Sequence, residues 1–238
     1  MTTNAQPPTL TRQPYPVDND KVVRHWAQMP FIGDDDAVST LNRIRDELFG
    51  NADLVYALAE QWVSSTVMAT GKQIITTATT NLAGYWQGPA AESFNTWVGL
   101  NGGGVLSVFE SNGAAMNDIG TTLGNCAAEV YNTYGNAINA IGQCAGALAG
   151  IVSDLALTPL PIIGEIADVD AIDSMSNALD TFVSAVAGFV ADATKQIGTY
   201  KTQGVTLTGV ANNSFTAVPP PGTLLGDPGK WWMESQQR

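Results

Sequence analysis

Apolar residues recur along most of this chain at alternating intervals of three and four, the period of an amphipathic helix, which predicts an all-α fold. Asp34-Asp35-Asp36 supplies an N-cap and favourable first-turn charge. The helix it opens starts near Ala37 and aligns Val38, Leu41, Ile44 and Leu48. Gly50-Asn51 breaks or bends it. A longer helix follows from about Asp53 to Ala83, with Val55, Leu58, Trp62, Met68, Ile75 and Leu82 on one side. From Leu106 to Leu155 two seven-residue ladders interleave. One runs Leu106, Gly113, Gly120, Ala127, Tyr134, Ile141, Leu148, Leu155; the other runs Phe109, Met116, Leu123, Val130, Ala137, Cys144, Ile151. This is a coiled-coil pattern, and at 1.5 Å per residue it predicts a helix about 75 Å long. The small members Gly113, Gly120, Ala127 and Ala137 require a closely approaching partner helix.

Thr158-Pro159-Leu160-Pro161 ends that helix, because proline removes a donor and restricts the residue before it. Glu165, Asp168 and Asp170 then stand where a new helix would begin. That helix, over about 165–200, continues the spacing through Ile172, Met175, Leu179, Val183, Val186, Val190, Ala193 and Ile197. Pro7, Pro8, Pro14, Pro16 and Pro30 make residues 1–33 read as an extended arm. Gly, Asn, Pro and Thr, including Pro219-Pro220-Pro221, make residues 203–238 read as a tail. The expected organisation is an elongated antiparallel helical hairpin and bundle over 34–202, with a third long helix, between arm and tail.

The segment Gly84-Tyr85-Trp86-Gln87-Gly88-Pro89-Ala90-Ala91-Glu92-Ser93-Phe94-Asn95-Thr96-Trp97 reads as a helical-hairpin corner. Gly88 can take a conformation that L-residues avoid. Pro89 suits the first position of a helix, where its missing N–H is not needed. Trp86 is expected to fold back between the two helices, and Phe94 and Trp97 to present aromatic faces three residues apart. Here the chain resembles the WXG superfamily, whose members carry Trp-x-Gly in the turn between two long helices. The match continues past Trp86-x-Gly88 to Ala90-Ala91 and Phe94, and covers roughly residues 37–157. The resemblance implies a non-catalytic protein of a Gram-positive, actinobacterial-type bacterium. Such a protein leaves by type VII secretion to the medium or cell surface, and associates with itself, with a WXG-type partner or with the secretion machinery.

The chain departs from that pattern in three places. Its helices are longer and a third is added. The run Gly99-Leu100-Asn101-Gly102-Gly103-Gly104 falls just inside the second helix, where each glycine costs about 0.8–1 kcal/mol against alanine, so a break or kink is expected. The family's export signal, Tyr followed four residues later by an acid, belongs after the hairpin. The spacing occurs here at Tyr56 and Glu60, before the turn, where an ordinary helical pair is the plainer reading. The signal would then come from a partner.

Charge narrows the partners. The net charge is −12, and residues 73–194 carry eleven acids and no Lys or Arg, so this stretch forms no internal salt bridge and offers no phosphate-binding surface. Its acids need solvent, helix N-termini or a basic partner. The N-terminus shows no basic region followed by an apolar run, so no Sec signal peptide is expected. Val130–Ser153 is uncharged and 24 residues long, enough for a bilayer crossing, but Asn132, Asn136, Asn139 and Gln143 would be costly in hydrocarbon. The alternative function is therefore a membrane-active, oligomeric pore that inserts the 130–164 region.

Candidate chemistry is sparse. Cys126 and Cys144 lie eighteen residues apart, about 27 Å along one helix, too far to bridge. Gly142, Gly146 and Gly150 form a four-residue ladder, read as tight packing against the 165–200 helix or as a membrane helix contact. Asp168, Asp170 and Asp173 lack an accompanying Cys or His, and first-turn helix charge explains them better than a metal. His25, beside Trp26, is the single histidine. No catalytic residue, cofactor or metal is expected. Trp231-Trp232 would either dock on a partner or membrane interface, or belong to an unstructured tail.

Overall fold

A computed structural model describes residues 10–99, 104–156 and 169–214. Among these residues are seven α-helices and no strand, as the periodicity demands: α1 (Val17–Ala27), α2 (Asp35–Asp46), α3 (Ala52–Ser64), α4 (Val67–Ala83), α5 (Pro89–Val98), α6 (Gly104–Ala156) and α7 (Val169–Ser214).

Contacts divide the described chain into two compact units. One holds residues 57–99, 104–123 and 201–214; the other holds 10–56, 124–156 and 169–200.

The second unit contains the larger core. Tyr134, Ile141 and Leu148 are consecutive members of one α6 ladder, and all are nearly fully buried. Against them pack Val23 of α1, Leu41 and Ile44 of α2, and Met175, Leu179 and Phe182 of α7. α2 begins where the sequence indicates: the Asp34 carboxylate accepts the Ala37 amide at 2.9 Å, satisfying one orphan donor. The α7 ladder is buried at Met175, Leu179, Val186 and Ala193, with Phe182 added from between its rungs.

The first unit is built on close approach instead. Gly71 lies under the Phe109 ring, Gly113 faces Met68, and Gly120 fits against Ala59, Trp62 and Val63. Lys72 reaches Glu110, so one acid of the cation-free stretch finds a partner just outside it. Gly113 and Gly120 are the small ladder members whose close approach the sequence demanded. Most buried residues here are small or polar, including Ala59, Thr79, Ala90, Ala91, Asn112 and Ala115, with Val98 and Leu106 the larger apolar ones.

Several boundaries differ from the sequence reading. Residues 1–33 are not wholly an extended arm, because Val17–Ala27 is helical. Pro16 stands at its N-cap, Asp18 and Asp20 in its first turn, and Arg24 in its last, so each charge complements the helix dipole. The helix expected over 53–83 is two, α3 and α4, interrupted at Ser65 and Thr66. Ser64-Ser65-Thr66 concentrates hydroxyl side chains that compete with the backbone for hydrogen bonds. The tail expected from residue 203 begins later, since α7 continues to Ser214. The glycine run does interrupt the second helix. α5 closes on left-handed Gly99 (φ 94°), and α6 opens at Gly104 (φ 59°), where a Cβ would strike the Trp97 carbonyl oxygen. Residues 157–168, which include the expected turn at 158–164 and the start of the third helix, lie outside the described residues, as do 1–9, 100–103 and 215–238.

Candidate functional site

The α4–α5 corner is built from backbone upward. α4 ends at Ala83, and the amides of Tyr85 and Trp86 both bond the Leu82 carbonyl at 3.0 Å, tightening its last turn. Gly88 then sits at φ 100°, ψ 179°, a region essentially reserved for glycine. Pro89 follows at the start of α5, and its missing N–H leaves nothing unsatisfied. The Glu92 amide bonds the Gly88 carbonyl at 3.0 Å and closes the first turn.

Three of the singled-out side chains come together there. The Trp86 and Phe94 ring centroids are 5.5 Å apart and those of Phe94 and Trp97 5.7 Å, both pairs tilted. Such offsets suit the ring quadrupoles. Trp86 is half-buried, and its neighbour Tyr85 is 81% exposed.

On α4, Met68, Gly71 and Lys72 contact α6. A flanking face carries Val67 and Ile74, 66% and 63% exposed, with Thr70, Ala78 and Asn81 also exposed. Leu82 and Tyr85 extend this surface to the corner. α4 carries no Asp or Glu, in a chain of net charge −12. This is an uncovered, acid-free apolar seam.

The other sequence candidates are dispersed. Tyr56 is half-buried and Glu60 exposed, both on α3. The Gly142–Gly146–Gly150 ladder does not pack against α7. Gly146 and Gly150 are exposed with open space where a Cβ would stand, and Gly142 faces Asn19 of α1. The α6 ladder of Tyr134, Ile141 and Leu148 turns inward, which leaves Gly146 and Gly150 facing solvent. Both cysteines are free. Burial pushes the Cys126 thiol up and the Cys144 thiol up to about 11, which keeps both protonated at neutral pH. Cys144 donates to the Ala178 carbonyl at 3.7 Å.

Asp170 stands in the first turn of α7 and Asp173 is exposed on the same helix; Asp168 and Trp231-Trp232 lie outside the described residues. Among the described residues no three His, Cys, Asp or Glu side chains gather as a metal site. Among them, too, no helix is long and apolar enough to cross a membrane. His25 meets Trp26 edge-on at 5.3 Å on α1.

Sequence reasoning missed two clusters, both in the second unit. In the first, Asp20 is 7% exposed and accepts from Tyr15 at 2.9 Å and from Arg24 at 3.0 Å; Arg24 also reaches Asn42. Burial, then the bond to Asp20, raises the Tyr15 hydroxyl far above its ordinary range. The four-residue spacing of Asp20 and Arg24 was a helical signal hidden by reading the segment as extended. In the second, Phe49 meets Tyr131 and Tyr134 edge-on at 4.9 and 5.1 Å, and the Arg12 guanidinium lies over Phe49. Nothing local in the sequence announces that gathering.

Comparison of the chain with protein-family models, curated proteins and solved structures finds no match.

Proposed function

We propose that this protein is non-catalytic and works by protein–protein association, as a WXG-type substrate of type VII secretion. The observation that carries the association reading is the exposed apolar side chains gathered along α4, in the unit that holds none of the largest buried ones. All of the largest fully buried side chains, from Tyr134 to Val23, belong to the second unit. The first keeps Val67, Ile74 and Leu82 exposed on α4 and Tyr85 exposed just beyond its end. Exposed apolar stripes at helical spacing mark interaction surfaces. Because α4 holds no acid, contact there would avoid the repulsion that the rest of this acidic chain would bring.

The paired contacts of Ala59 with Gly120, Met68 with Gly113 and Gly71 with Phe109 support an antiparallel hairpin whose corner is Trp86–Pro89. The partner is a second copy, another WXG-type protein or the secretion machinery, and the destination is the medium or cell surface.

Two measurements test this. Light scattering on the purified chain, alone and with a candidate WXG-type protein, should show a complex that Ile74→Glu abolishes without unfolding the chain. Culture supernatants should contain the protein in wild-type but not in type VII-deficient cells. A chain monomeric under every condition would refute association, and equal amounts in both supernatants would refute the export route.

A further inference from the structure

We propose that Phe49, Tyr131 and Tyr134 form a guanidinium-recognition box, filled within this chain by Arg12 and open to exchange with an arginine on an extended segment of a partner protein. This inference concerns the second unit and does not depend on the export reading.

The geometry is that of a cation over aromatic faces. The Arg12 guanidinium carbon stands 4.1 Å from the Phe49 centroid and 5.4 Å from that of Tyr134. Both distances lie within the range where a ring quadrupole attracts a cation. Phe49 packs edge-on against both tyrosines, so the rings hold one another in place. The Tyr131 hydroxyl donates to the Asp53 carboxylate, which fixes the orientation of that ring at the edge of the box. A planar guanidinium stacks on such rings better than an ammonium does.

The occupant is lightly held. Residues 11–14 are exposed and irregular, and among the described residues 10–14 no hydrogen bond ties them to the rest of the protein. The first polar anchor is Tyr15, whose hydroxyl bonds Asp20 and, at 3.4 Å, the Leu41 carbonyl. Among the described residues, lifting 10–14 away from the box breaks no hydrogen bond of the bundle.

Between the strap and α6 runs an open groove of about 440 Å³, walled by Leu10, Thr11 and Gln13 on one side and by Tyr131, Asn132, Gly135, Asn136 and Asn139 on the other. Side-chain amides both donate and accept, as the backbone of an extended segment requires. Charge chooses the occupant's chemistry. The chain carries no Lys or Arg from 73 to 194 against eleven acids, so a partner lying along α6 and α7 would be cationic.

Because Arg12 is tethered, its effective concentration is of millimolar order and it shields the box from free ligands. The test follows from that shielding. Full-length Arg12→Ala protein, with Arg12→Met to retain the aliphatic stem, is titrated with a synthetic peptide of residues 10–16 and followed by NMR shifts of Tyr131 and Tyr134. Both variants should bind this peptide at least tenfold more tightly than wild type. A peptide with Lys in place of the arginine should bind several-fold more weakly, and one with Ala should not bind. Tyr134→Leu in the Arg12→Met background should lose binding while circular dichroism reports a folded chain. Equal binding by wild type and variants, no binding by either variant, or indifference to arginine in the peptide would each overturn the proposal.

Discussion

Gly120 lies so close to Val63 that a Cβ there would stand 2.7 Å from the Val63 Cγ2 and 2.9 Å from the Ala59 carbonyl oxygen. Val63 could rotate away; the Ala59 backbone could not. Gly120→Ala should therefore destabilise by about 1–3 kcal/mol, the range for overpacking. In a domain of this size that lowers Tm by about 2–4 °C per kcal/mol. Gly146→Ala should instead raise Tm slightly, since its Cβ meets open space and helical glycine costs up to about 1 kcal/mol. Parallel thermal melts check both, and equal effects would refute the contrast.

Asp20 should be the most sensitive carboxylate in the described chain. Asp20→Ala leaves the Arg24 guanidinium and the Tyr15 hydroxyl without their shared acceptor, and a loss of about 2–3 kcal/mol is expected. Asp18→Ala, whose partner Lys21 is exposed, should cost well under 1 kcal/mol. Urea unfolding of the two variants separates them.

Stability should fall in alkali, because Tyr15, Cys126, Cys144 and Tyr131 hold their protons more tightly when folded; the last two set the window. Burial raises Cys144 from 9.0 to about 11. Burial, and then the bond to Asp53, raises Tyr131 from 10.0 to about 12. With folded values above unfolded ones, the stabilisation is complete below about pH 9 and is lost as pH climbs through 9–11 for Cys144 and 10–12 for Tyr131. Melts from pH 8 to 11.5 should show Tm declining, with Cys144→Ala flattening the first part and Tyr131→Phe the second.

Gly88→Ala should disturb the corner more than Gln87→Ala. A non-glycine residue at φ 100° costs on the order of 1–3 kcal/mol, whereas Gln87 is exposed. Trp fluorescence of Trp86 and Trp97, which both contact Phe94, should shift to the red in the first variant and hold in the second.

Thiol chemistry should rank the cysteines. Half-buried Cys126 should react with a disulfide reagent at neutral pH well before buried Cys144, whose modification should follow the rate of bundle opening. Similar rates in single-cysteine variants would contradict the burial assigned to Cys144.

The sequence by itself determined that the chain is all-helical and which face of α6 turns inward. Tyr134, Ile141 and Leu148 could be named as one seam because burial on a helix must repeat with its 3.6-residue turn, and that period is written locally. The stop at Gly99 and the opening at Pro89 were legible for the same reason: each rests on the backbone freedom or missing donor of one residue. What only the tertiary structure decided was which chain passes over which. Arg12 meets Phe49 and Tyr134, and Gly71 meets Phe109, across separations that no periodicity encodes. The same holds for the failures. Pro16 reads as extension until Asp20 finds Tyr15 and Arg24 in a helix, and Gly146 reads as a packing notch until the burial of Leu148 turns it to solvent. Local propensity fixes an element's kind, while its neighbours are chosen by the contacts that bury it, and those contacts are long-range.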